Sequence, residues 1–220
     1  MAAPELSILD ACSPELQVSA AAKGWDRTNE RDFQRAVEAA SGGHSASVLL
    51  THWPAVGAVD IVLSGEVGLE LKWCKSGDTL VNCAWDIAKL GCAIAEGQLT
   101  AGFIAAGAPA AHWDGHGSGT ELFAPRVYED DDLARHYESW WRFWCRDVAT
   151  RPVDLPRSVA VADEGSISTE LDGMPFVLRL ARVEVVDPAW RVHVCPHRWR
   201  SERCSPRPWD ADGWGGRHGS

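Results

Sequence analysis

From Gly57 to Cys74 the chain alternates apolar with small or polar residues in two runs, "GAVDIVLSG" and "EVGLELKWC", joined at Ser64-Gly65. Period two is the spacing at which successive side chains of an extended chain point to opposite faces. A Ser-Gly pair between two such runs marks a tight turn. The stretch is therefore predicted to be an antiparallel hairpin. In its first run Val59, Ile61 and Leu63 are expected on one face and Asp60 on the other. In its second, Val67, Leu69, Leu71 and Trp73 point one way, and Gly68, Glu70, Lys72 and Cys74 the other. Pairing about the turn makes Asp60 and Glu70 near cross-strand neighbours, with Glu70 and Lys72 roughly 6–7 Å apart along one face. One face is core; the other gathers two carboxylates and an ammonium.

The elements around the hairpin follow from local pattern. "TNERDFQRAVEAA" predicts a helix with Thr28 as N-cap and Glu30 and Asp32 in the first turn, where the helix dipole favours acids. Phe33, Ala36, Val37 and Ala40 form its apolar stripe, and Gly42-Gly43 ends it. "SASVLLTHW" reads as a strand ended by Pro54. A second helix is expected from about Thr79 to Glu96, with Leu80, Cys83, Ile87, Gly91 and Ile94 apolar and Asn82, Asp86, Lys89 and Glu96 polar. "TAGFIAAG" follows as a buried strand. After a Gly/His-rich loop from Trp113 to Thr120, "EDDDLARHYESWWRFWCRDVA" predicts a third helix. From Ser158 to Val194 short strands return, with a turn at Asp172-Gly173, as a β-rich portion closing over the core.

With 220 residues, 45% of them hydrophobic, the chain can bury a real core, and one domain with appendages is expected. The divisions are an N-terminal extension (1–24), a core with the third helix (25–150), a β-rich appendage (151–195) and a flexible Arg/Trp/Gly-rich tail (196–220). No apolar run reaches membrane-spanning length, and the N-terminus lacks the basic start of a secretion signal. A cytoplasmic protein without a membrane partner is expected. Seven cysteines without framework spacing agree: Cys74, Cys83, Cys92 and Cys145 lie in apolar stretches and read as small buried hydrophobes. Most of the twelve tryptophans read as core packing.

A net charge of −10 argues against wholesale attraction to nucleic acid. Between Ala189 and Trp209, however, five arginines stand against Glu202, interleaved with Trp190, Trp199 and Trp209. That segment has the chemistry to grip phosphates or stack on bases, or to be a solvated tail.

Two carboxylates on a rigid strand pair, helped by a carbonyl such as that of Leu71, form a hard oxygen site suited to Mg²⁺. Such a metal activates water and polarises a phosphodiester, and a neighbouring lysine orients or deprotonates the attacking water. The chain holds only four lysines, Lys23, Lys72, Lys75 and Lys89, so one at this place is informative. The other reading is a cross-strand ion pair on a half-solvated hairpin.

Asp60 followed by Glu70-Leu71-Lys72, on adjoining strands between two helices, resembles the PD-(D/E)XK nuclease superfamily over residues 25–107. Val59 stands where the namesake pattern has Pro. The resemblance implies an α/β fold with a restriction-endonuclease-like αβββαβ core, a mixed sheet flanked by helices. A C-terminal helix and β-rich extension would be added to it. It implies a Mg²⁺-dependent nuclease acting on DNA, with Mn²⁺ as a substitute metal, an endonuclease rather than an exonuclease, and a homodimer if two strands are cut. Asp60 and Glu70 would bind the metal, and Lys72 would position the water. Glu30, three residues before the inward-facing Phe33, would add the helix glutamate that family members often contribute; Glu38 fits less well. The rival reading is a catalytically silent binding or regulatory module on the same fold.

Other signals are weaker. Asp86 and Lys89 read first as a surface pair at i, i+3 and second as support for the site. "HVCPH" with Cys204 departs from zinc-knuckle spacing, and Glu129 to Asp132 is explained as a charged helix start. Nothing in the sequence places His52, His112 or His116 near the site.

Overall fold

The computed structural model describes residues 4–48, 57–74, 83–113, 126–130 and 153–193. In chain order the helices are α1 (Pro4–Lys23), α2 (Glu30–Ser41), α3 (Cys83–Ala95) and the short α4 (Ala110–Trp113), with a 3-10 turn at Trp25–Arg27. The strands are β1 (His44–Val48), β2 (Gly57–Leu63), β3 (Val67–Trp73), β4 (Ala101–Pro109), β5 (Arg126–Glu129), β6 (Val153–Leu171) and β7 (Met174–His193). They form one seven-stranded mixed sheet in the order β1-β2-β3-β4-β7-β6-β5. Only β3 and β4 run parallel; every other neighbouring pair is antiparallel.

Helices cover both faces. On one side α1 and α2 bury Leu9, Leu16, Phe33 and Val37 against Ile61, Leu69, Leu71, Trp73 and Phe103. On the other, α3 buries Ile87, Leu90 and Ala93 against Val59, Val62, Ile104, Val159 and Val183. The mixed α/β class expected from the sequence is the one observed.

The predicted hairpin is formed. Ser64 and Gly65 both hold left-handed backbone angles (φ 50° and 78°) in the three-residue connection between Leu63 and Val67, where the Glu66 amide donates to the Leu63 carbonyl at 3.1 Å. Asp172 and Gly173 hold such angles between β6 and β7 (φ 51° and 77°). Helix α2 begins one residue later than read. Its N-cap is Asn29, not Thr28, because the Asn29 side chain accepts from Arg31 and Asp32 while Asp32 caps Asn29 in return. Gly42 ends it in the left-handed conformation.

Three assignments differ more. Residues 4–23, read only as an N-terminal extension with no element assigned, form a helix that lays Leu9, Cys12, Leu16 and Ala20 into the core. The β-rich C-terminal part does not close over the sheet but continues it, through a β4–β7 ladder from Gly102↔Val183 to Pro109↔Phe176. Glu129, read as a helix start, is the last residue of strand β5. The rest of that expected helix, from residue 131 on, lies outside the described residues, as do residues 49–56, 75–82 and 194–220. Among the described residues no helix is long and apolar enough to cross a membrane.

Candidate functional site

The site begins with a break in the β2–β3 pairing. That ladder runs from Leu63↔Val67 only to Ile61↔Leu69. Strand β1 stays with β2 to Val48↔Gly57, and β4 stays with β3 to Trp73↔Gly107. The sheet therefore forks beyond Ile61 and Leu69. A bulge accompanies the fork: His44↔Val62 and Ala46↔Val59 set three steps of β2 against two of β1. This corrects the expected alternation. Val59 and Val62 both pack on the α3 side, while Ile61 and Leu63 pack on the other.

A fork strips backbone groups of strand partners, and buried amides and carbonyls left unpaired are costly. Side chains take their place. The Leu71 amide donates to Oδ2 of Asp60 at 2.8 Å, and the Trp73 amide donates to Oε2 of Glu30 at 3.4 Å. The Ala58 carbonyl accepts from Nζ of Lys89 at 2.7 Å. Gln34 of α2 fixes the bulge by donating to the Asp60 carbonyl at 3.3 Å. It also holds Glu38 at 3.1 Å, on the β1 side.

Strand β3 alternates as read. Leu69, Leu71 and Trp73 face α1 and α2, so Glu70 and Lys72 face α3. That face is not solvent: Glu70 is only 1% exposed. Its Oε1 lies 2.7 Å from Nζ of Lys89, and Lys72 Nζ lies 3.0 Å from Oδ2 of Asp86. Asp86 Oδ1 stands 3.8 Å from Lys89, one helical turn along α3. Asp86 and Lys89, read first as a surface pair, are buried (3% and 8% exposed). Their charge identified them as polar but not as interior; the countercharges on β3 make them so. Glu70 Oε1 and Asp86 Oδ2 are buried without a well-directed hydrogen bond, each held at ion-pair distance from its lysine.

Six ionisable groups thus act on one another: Glu30, Asp60, Glu70 and Asp86 with Lys72 and Lys89. Burial pushes the Glu70 carboxyl well above its ordinary range, against the pull of Lys89 and with the push of Asp86 and Asp60. Burial likewise raises Glu30, opposed by Lys72. For Lys72 burial works against charge, but Asp86, Glu30, Asp60 and Glu70 outweigh it and hold the ammonium protonated well above the usual lysine range. Lys89 is raised in the same way, chiefly by Glu70. With every group ionised, four carboxylates against two ammoniums leave two negative charges uncompensated. Protons on the glutamates can make up that deficit. So can a divalent cation, and the donors are the hard oxygens Mg²⁺ prefers. As the side chains stand, no three His, Cys, Asp or Glu among the described residues converge on one cation position.

All four residues singled out from the sequence therefore lie around one fork: Asp60 and Glu30 on the amides it leaves without a strand partner, Glu70 and Lys72 on its α3 side. His112 lies on α4, and His52 and His116 lie outside the described residues. Within the "HVCPH" stretch only His193 falls inside β7.

No family model matches the chain, and no curated protein or solved structure does either.

Proposed function

We propose that the chain is a Mg²⁺-dependent nuclease of the PD-(D/E)XK type, an endonuclease on DNA, with the α2-to-β4 segment as its restriction-endonuclease-like core. The observation that carries this reading is the buried cluster at the fork, two positive charges short of neutrality when ionised and built on Asp60, Glu70 and Lys72. The order α2-β1-β2-β3-α3-β4, with β3 parallel to β4 and its neighbours in sequence order, supports it.

Asp60 and Glu70 would hold the metal, with Glu30 beside them. The bound ion would supply Lewis-acid polarisation of a phosphodiester and a more acidic water. Lys72, held charged by its carboxylate neighbours, keeps its protons and acts as a hydrogen-bond donor and not as a base: it orients the attacking water or a phosphate oxygen at Nζ. Asp86 fixes the height of that ammonium by its 3.0 Å contact.

One observation favours the silent-module reading: both lysines already neutralise carboxylates. Assays on single-stranded, duplex and branched DNA with and without Mg²⁺ separate the two. Asp60→Asn and Lys72→Ala should each reduce metal-dependent cleavage by at least about a hundredfold while the circular-dichroism spectrum is retained. Cleavage by both variants at the parental rate would overturn the assignment. A parent that cuts none of the three substrates would favour the silent module.

A further inference from the structure

The ammonium of Lys89 sits among three oxygens: Glu70 Oε1 at 2.7 Å, the Ala58 carbonyl at 2.7 Å and Asp86 Oδ1 at 3.8 Å. Carboxylate and carbonyl oxygens around a compact cation are also what a hard divalent ion seeks. Glu70, the most buried of the proposed ligands, is the one that Lys89 engages.

We propose that Lys89 is a tethered counter-cation that competes with the divalent metal for Glu70 and so sets the metal concentration at which the site fills. This rests on the metal-site reading above and adds a regulating residue to it. The geometry supplies a place for the displaced ammonium. Asp86, three residues earlier on the same helix, already stands 3.8 Å away and needs only a side-chain rotation to receive it. Asp86 also holds Lys72, so filling the Glu70 position moves one ammonium toward the carboxylate that positions the other. Metal entry and the setting of Lys72 are thereby coupled through Asp86. Two like charges cannot share the Glu70 oxygen cheaply: removing a unit positive charge about 4 Å from an incoming cation is worth well over tenfold in affinity before screening.

The test is calorimetric titration of the full chain with Mn²⁺ and Mg²⁺, alongside Lys89→Met, Lys89→Gln, Glu70→Gln and the double variant Lys89→Met/Glu70→Gln. The expected result is binding at least about tenfold tighter in both Lys89 single variants than in the parent, abolished in Glu70→Gln and in the double variant. A parent that binds no metal while Lys89→Met does would support the proposal in its strongest form. Equal or weaker binding in the Lys89 single variants, with Glu70-dependent binding in the parent, overturns the competition and leaves the metal reading standing. No Glu70-dependent binding in any protein overturns both. Should the Lys89 variants fail to fold, nitrogen NMR of the lysine ammonium groups in isotope-labelled parent decides. With only four lysines the signals are assignable, and Mg²⁺ saturation should move that of Lys89. A Lys89 signal unmoved while metal binds would overturn the proposal.

Discussion

Glu30 carries its charge at a disadvantage, because burial outweighs the help it draws from Lys72 and from the Trp73 amide. A carboxyl raised in the folded state contributes stability that is complete below its unfolded value, near 4.5, and is lost as pH rises through the folded value. Glu30→Gln keeps an acceptor for the amide and removes the charge. With a chelator present it should melt above the parent at pH 8, and the two curves should converge as pH falls to about 4. A variant less stable than the parent at pH 8 would mean that Glu30 is stabilised by its charge. Lys89 stands differently: it is paired inside the protein, and deleting one partner of a buried pair typically costs about 3–5 kcal/mol. At this scale the sequence was informative about identity and poor about setting. Glu70 and Lys72 were legible because strand alternation assigns a face from spacing alone. The Asp60 bulge was not, because an extra residue in a strand leaves no mark on the apolar pattern around it. Asp86 and Lys89 were misjudged for a related reason: a charge on a helix reads as solvent-facing until its partner on another element is known.

The distance between α3 and the sheet decides whether Lys89 can reach Glu70 at all, and two glycines set it. Gly68 of β3 and Gly102 of β4 are register partners on the parallel ladder, and both lie under Leu90 of α3. A Cβ at Gly102 would come within 3.1 Å of Leu90 Cβ, an atom fixed to the helix backbone that cannot turn aside. A Cβ at Gly68 would meet the tips of Leu99 and Leu90, at 2.5 and 3.1 Å, which can rotate. Gly102→Ala should therefore lift α3 and cost about 1–3 kcal/mol in denaturant unfolding, more than Gly68→Ala despite the latter's shorter contact. The reverse order would show that α3 is free to shift. Among elements, both hairpins were legible because their turns demand Ser64-Gly65 and Asp172-Gly173. Helix α1 was not. Its core positions Leu9, Cys12, Leu16 and Ala20 have helical spacing, but Asp10, Pro14 and Glu15 interrupt them, and only packing on α2 and β6 reveals the stripe.

Across the whole molecule, the β6–β7 hairpin is shared property. Leu155, Val159, Val161 and Val183 complete the α3 core, while Leu171, Phe176, Leu178 and Leu180 complete the opposite one. Trp73, at the fork, stacks on Phe176 at 4.6 Å between ring centres. The hairpin is thus a structural half of the sheet and not an addition to a self-sufficient core. A chain ending at Thr150 should show no cooperative thermal transition, whereas the full chain should unfold in one. A folded 1–150 fragment would refute this. The fork has one more consequence. Elsewhere in a sheet, slow deuterium uptake at an amide reports that two strands stay together. At Leu71 and Trp73 it reports where two carboxylates are, since Asp60 and Glu30 hold those hydrogens. A ligand that draws either oxygen away would hasten exchange at a single residue while its neighbours on β3 stay protected, so two backbone positions serve as built-in gauges of occupancy for the site.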